Sequence, residues 1–320
     1  TNTATGVINV NGSGSAGLFS INGGRVTNSA SGRILVPGSG SLGIVVVDNS
    51  SVGTNAGIIN ITGSSSGGVY NVGTFTMSGG TITANMPNSV GVYSKPLSTT
   101  SITGGTITVS NGSTALSAEN STISMTGPVV NVNTGGLFFY KNGTGAVSGT
   151  GTVNVNNNGT GFYITGGNVP TLSTLVTSGN LTMNMAAGST LVGWDQPTGT
   201  LSLNALTGVL GTPSIANTTI NDLSGGTYRY FIINKANVLI DKNVVLSGTG
   251  SQYFPRINFV SSSVQVGSGF TVSGTGNNQI ALAQRNYTGS VGPGAIVLAN
   301  SGTINLSGND STGIAGDYAT

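Results

Sequence analysis

Apolar and polar residues alternate strictly in a phrase that recurs along this chain. Counted from a glycine or proline at 6, 32, 57, 80, 105, 128, 151 and 302, the second following position is Ile8, Ile34, Ile59, Ile82, Ile107, Val130, Val153 and Ile304. The fourth is Val10, Val36, Ile61, Ala84, Val109, Val132, Val155 and Leu306. Between them lie Asn9, Leu35, Asn60, Thr83, Thr108, Asn131, Asn154 and Asn305, mostly polar. A period of two turns alternate side chains to opposite faces, so each phrase predicts a β-strand with one face buried.

Further along five of the eight units, a glycine precedes an apolar residue, as in Gly17-Leu18 and Gly43-Ile44, and starts a second strand. A third run follows, exemplified by Phe75 to Met77 and Ile123 to Met125. The first seven openings succeed one another at a nearly constant interval of about 24 residues, the mark of a structural repeat. Three short strands per coil of that length predict an all-β fold, a right-handed parallel β-helix, because one coil cannot bury its apolar row alone and stacked coils can. At about 4.8 Å per coil the whole chain would make about 13 coils and a rod of about 60 Å. Outward Asn and Thr at recurring positions are expected to form hydrogen-bonded ladders, and Tyr70 and Tyr93, one repeat apart, to stack as part of a structural ladder.

Residues 1–166 read as regular coils, 167–299 as irregular coils with longer loops in the same continuous domain, and 300–320 as a regular coil cut short. The repeat is already running at Gly6 and the last unit stops at Asp317–Thr320, with no cap at either end. The expectation is therefore an interior segment of a longer protein.

Composition narrows the chemistry. Of 320 residues 54 are Gly, charged residues make up 5%, and there is neither His nor Cys. Disulfide scaffolds, Cys/His zinc sites and histidine-dependent triads are excluded. With apolar residues at 37% the chain can build a core, and a net charge of +2 implies no nucleic-acid partner. No apolar run approaches the ~18–20 residues of a membrane helix, so the rod itself is not expected to be membrane-embedded.

The phrase GTINLSGNDSTGIA at 302–315, with GVINVNGSGSAGLF at 6–19 and its relatives at 32, 57 and 80, resembles the repeats of β-helical passenger domains in bacterial autotransporter (type V secretion) adhesins. It is most similar to the large Gly/Ser/Thr/Asn-rich ones of fusobacteria. The resemblance covers 6–165 and 300–315, and the middle in style. It implies an extracellular or cell-surface virulence adhesin that binds a receptor, protein or glycan, on host or other bacterial cells. It also implies a parent with a C-terminal outer-membrane β-barrel outside this segment, and no cofactor or catalytic motif. The expected function is thus a rigid stalk that mediates adhesion and is not an enzyme.

Two rivals are a polysaccharide-degrading β-helix enzyme and a purely structural spacer rod. The enzyme needs paired carboxylates across a cleft. Asp48, Glu119, Asp195, Asp222, Asp241, Asp310 and Asp317 are scattered, with Asp195, Asp222 and Asp241 the nearest to coil spacing. No calcium-binding Gly/Asp nonapeptide occurs. Thr81, Thr83, Thr106 and Thr108 form outward pairs of the kind used by ice-binding β-helices, but flanking Asn breaks the lattice.

Candidate receptor contacts lie where aromatic and charged residues gather. Trp194, Asp195 and Gln196 could stack and hydrogen-bond a sugar, or else Trp194 covers a core corner. Tyr228, Arg229 and Tyr230, with Lys235, Lys242 and Arg256, could form an aromatic and basic patch, or else line a wider coil.

Overall fold

The computed structural model describes residues 1–207, 215–225, 228–246, 257–260, 262–278, 280–284 and 298–316. Its strands are parallel and stacked coil upon coil, and among the described residues helix is confined to Val169–Thr174 and Leu203–Thr207. The chain folds as two compact units, one of Thr1–Tyr163, Ser173–Leu191 and Ile215–Tyr228, the other of Ile164–Leu172, Val192–Ser214 and Arg229–Thr320.

In the first unit the alternating phrase becomes one continuous column. Ile8 pairs with Ile34, and the series runs on through Ile59, Ile82, Ile107, Val130, Val153, Met183 and Ile220. Ile34 through Met183 have no exposed surface, so the branched side chains lie over one another as the pattern requires. A second ladder stacks Leu18, Ile44, Val69, Val92, Leu116 and Phe139. A third stacks Val26, Gly53, Phe75, Thr100, Ile123, Val147 and Val176. Along this last column Gly53 has no space for a side chain: a Cβ there would stand 2.7 Å from a Val46 methyl carbon and 3.4 Å from a ring carbon of Phe75 in the next coil.

The interior is not wholly apolar. Asn2, Asn28 and Asn55 form a buried ladder, Asn2 Nδ2 donating to Asn28 Oδ1 at 2.8 Å and Asn28 Nδ2 to Asn55 Oδ1 at 2.8 Å. In the same column Met77, Ile102 and Met125 follow Asn55, so the amides give way to hydrocarbon. Linking amide to amide across the coils keeps these buried polar groups satisfied.

Serines build one corner. Ser41, Ser66, Ser89 and Ser113 are fully or almost fully buried, and their hydroxyls donate to the carbonyls of Gly12, Gly38, Gly63 and Met86. Ser41 Oγ in turn accepts from Ser15 N, Ser66 Oγ from Ser41 N and Ser89 Oγ from Ser66 N, at 3.1 to 3.3 Å. The hydroxyls of Ser41, Ser66 and Ser89 therefore each tie two backbone groups of the preceding coil. At another corner the third and first strands fuse, giving Thr122–Val132, Ala146–Val155 and Val176–Met185. Gly149 stands there at φ 96°, and a Cβ on it would run into the Met125 carbonyl. A bare glycine is what lets the coils close at this point.

Coils lengthen beyond Val155. One runs from Val153 to Met183 and the next from Met183 to Ile220, each longer than any coil before it in the column. Among the described residues the parallel strands make a β-solenoid of about 10 turns, where a uniform repeat along the whole chain gives about 13. The second unit keeps the same pairing, with Thr200–Ser202, Asn237–Ile240, Ser263–Val266 and Leu298–Asn300 in one parallel ladder. Val244, Val272 and Ile304 form its apolar column, so the phrase at 302 stacks on coils that the sequence pattern does not display.

Candidate functional site

The side chains pointing outward divide into two kinds. The first ladder carries an amide row: Asn131, Asn154, Asn184 and Asn221 are linked Nδ2 to Oδ1 at 2.8 to 2.9 Å, an outward ladder of the kind expected from the repeat. The second ladder carries rings and charges. Its outward column reads Phe19, Val45, Tyr70, Tyr93, Ser117 and Tyr140.

Tyr70 and Tyr93 meet on adjacent coils as their spacing predicts, in an edge-to-face pair with centroids 5.7 Å apart and planes at 75°. An edge-to-face pair sets the positive ring edge against the negative ring face. Tyr140 and Tyr163 do stack, at 5.9 Å and 27°. Between the two pairs lies Ser117, itself 5% exposed, so the larger neighbours close over it.

Two residues beyond this column, Lys95 and Glu119 project on the same side. Lys95 Nζ stands 2.5 Å from Glu119 Oε2 in the next coil and 5.4 Å from the centroid of the Tyr93 ring. The Tyr93 hydroxyl also donates to Glu119 Oε2. The hydrogen bond from Lys95, then that from Tyr93, holds the Glu119 carboxyl below its ordinary value. The same hydrogen bond raises the Lys95 ammonium, while burial and then the Glu119 contact raise the Tyr93 phenol. Around neutral pH the cluster thus holds one cation and one anion in direct contact, with a neutral phenol donating to the same carboxylate oxygen. It is the one ion pair among the described residues, in a chain of which 5% is charged.

The residues singled out in the sequence fall elsewhere. Trp194, in the strand Thr190–Asp195, is 1% exposed, and its indole N–H donates to the Gly166 carbonyl at 2.6 Å. Its ring faces are enclosed, so it covers a core corner and offers no platform to a sugar. Asp195 is half-buried and accepts from Asn234 Nδ2 at 2.6 Å, with the exposed Gln196 amide at 3.3 Å on its other oxygen. Tyr228 and Tyr230 are 4% and 5% exposed. Both rings are turned inward, which, of the two readings of this stretch, favours packing over an aromatic contact patch. Arg229 is half-buried, Lys235 is exposed, and Arg256 lies outside the described residues.

The three acids nearest to coil spacing are engaged locally. Asp241 accepts from Ser202 Oγ at 2.5 Å and Asn204 N at 2.9 Å, and Asp222 from Ser224 N at 2.8 Å. No group of three or more metal-ligating side chains occurs among the described residues, and no described helix is long and apolar enough to cross a membrane. No family model, curated protein or solved structure matches this chain.

Proposed function

We propose that this chain is a segment of a bacterial cell-surface or secreted adhesin of the autotransporter kind. In this proposal it serves as a stalk whose outward second-strand face contacts a receptor on host or bacterial cells. The observation that carries the proposal is the distribution of side chains over the coils of the first unit. A strictly registered apolar interior makes each coil a stiff platform for the next. The outward side of the first ladder carries the neutral amide row Asn131, Asn154, Asn184 and Asn221, and that of the second concentrates Tyr70, Tyr93, Lys95, Glu119, Tyr140 and Tyr163. Tyrosines beside a few charges are the composition of recognition surfaces, since a ring brings large contact area with little rotamer entropy to lose.

The resemblance of the repeats to passenger domains supplies the setting: export to the cell surface and a barrel elsewhere in the parent. The test is attachment of beads coated with the purified chain to epithelial and bacterial cells. Saturable attachment that soluble chain competes away, and that Tyr93→Ala weakens, supports adhesion through this face. Absence of attachment to every cell type assigns the chain to the spacer role and overturns the proposal.

A further inference from the structure

We infer that the face formed by Tyr70, Tyr93, Lys95, Glu119, Tyr140 and Tyr163 binds a neutral carbohydrate chain lying along the stacking direction, an inference that rests on the adhesion reading above and names its ligand class.

The spacing is the first argument. Tyr93 and Tyr140 occupy the same outward column two coils apart, with Ser117 between them. At about 4.8 Å per coil their backbones are about 10 Å apart along the column. Two aromatic pairs at that separation, all four rings half-buried and none wholly enclosed, offer apolar contact at two points along a linear ligand. Successive sugar rings of an extended polymer present C–H faces at intervals, and aromatic rings take up such faces through apolar contact.

Charge is the second. Lys95 and Glu119 neutralise one another across the coil step that Ser117 leaves without a ring. A surface with no net charge offers no steering to an anionic polymer or a charged peptide. What it offers is a donor and an acceptor side by side: ammonium protons of Lys95 and the Oε1 oxygen of Glu119, while Oε2 takes the Lys95 and Tyr93 contacts. Vicinal hydroxyls, each both donor and acceptor, match that pair.

Shape is the third. The face is the outer side of a parallel ladder, so a linear ligand can lie across successive coils. A flat ligand with hydroxyls at its rim can satisfy rings and charges together, and the amides of the first ladder are already hydrogen-bonded to one another.

The test uses the intact chain against linear neutral oligosaccharides of glucose, galactose and N-acetylhexosamine, with a sulfated oligosaccharide for comparison. Binding is read by tyrosine fluorescence and calorimetry. The expected result is that a neutral oligomer binds, a monosaccharide binds more weakly, and Tyr93→Ala and Tyr140→Ala each lower affinity by about tenfold or more, a loss of ~1.4 kcal/mol or more. Thr81→Ala, on the first ladder, leaves it unchanged. Should either tyrosine variant lose its far-ultraviolet circular dichroism, Lys95→Ala and Glu119→Gln, at half-exposed positions, take its place with the same expectation.

Failure of every oligosaccharide to bind overturns the inference, as does preference for the sulfated probe or binding that these variants leave intact. Cell attachment of the same proteins separates the two proposals. Attachment weakened by Tyr93→Ala without sugar binding makes the receptor a protein, and the adhesion reading stands. Sugar binding without attachment to any cell leaves the carbohydrate face standing and removes the adhesion reading.

Discussion

Asn28 Nδ2 donates to Asn55 Oδ1 at 2.8 Å across adjacent coils, in a place where neither amide has any exposed surface. The pair sits in a column that turns to Met77 one coil later, so the position itself tolerates hydrocarbon. What it does not tolerate is half a pair. Asn28→Leu leaves Asn55 Oδ1 without its donor and is expected to lower stability by about 1–3 kcal/mol. Adding Asn55→Leu removes the orphaned group. In a double-mutant cycle of urea unfolding, the two changes together should therefore cost less than the sum of the singles.

The register of the first column makes a sharper demand. Ile82 is fully buried between Ile59 and Ile107, whereas its neighbour Thr81 is exposed. Ile82→Asp places an unpaired charge in that stack and should cost several kcal/mol, lowering the melting temperature steeply. Thr81→Asp should leave it nearly unchanged. Equal losses from the two would contradict the assignment of faces.

Corner glycines provide a graded test. Gly14 and Gly149 both have positive φ, but a Cβ on Gly14 meets nothing within 4 Å, whereas one on Gly149 meets the Met125 carbonyl. Gly14→Ala should cost about 1–2 kcal/mol for the left-handed backbone alone. Gly149→Ala carries that strain and a backbone clash besides. Its loss, measured by thermal unfolding, should be visibly larger.

Much of this architecture is legible from the chain, and the reasons are specific. The column from Ile8 to Val153 can be read because strand period and coil period are both regular there. Its continuation through Met183 and Ile220 is hidden because longer coils remove the even spacing by which repeats are recognised. Trp194, Tyr228 and Tyr230 stand out in the sequence as aromatics among few charges and suggest a surface, but large apolar rings also fill interiors, and each of the three is buried. Lys95 and Glu119 do not stand out, because in sequence each is an isolated charge. Their separation is nonetheless one coil length, and searching the charged residues for that offset would find the pair.

Lys141 occupies the column position that Ala118 holds one coil earlier. It is 4% exposed, and its ammonium donates to the Gly145 carbonyl at 2.5 Å. Burial pushes its pKa below the ordinary 10.5. The folded state thus releases this proton at lower pH than the unfolded state does. Stability should rise with pH from the depressed folded value up to about 10.5. Lys141→Met should be more stable at neutral pH and should lose that slope, as followed by chemical unfolding between pH 7 and 10.

Asp48 is shifted in the same direction, but here it is the charged form that the fold stabilises. Its carboxylate accepts from the Ser50 hydroxyl at 2.5 Å, Asn22 N at 2.6 Å and Ser50 N at 3.0 Å, which brings its pKa from 3.8 to about 2. The contribution is whole above the unfolded value of 3.8 and is lost as pH falls through about 2. Asp48→Asn should therefore be the less stable protein at pH 5. The difference should close on acidification, and a constant gap down to pH 2 would show that the charge plays no part.

The serine corner bears on how such a chain can change its length. Ser66 both receives the Ser41 amide proton and caps the Gly38 carbonyl, and Ser89 repeats this for Ser66 and Gly63. Each turn thus borrows a hydroxyl from the one that follows. Deleting the corner of a turn would break the borrowed contacts on either side of the junction, while excising a whole turn brings equivalent serines back into place. Genetic recombination between such repeats would be expected to lengthen or shorten the protein by turns that keep their corner serine, while the length of a turn away from that corner is free to vary.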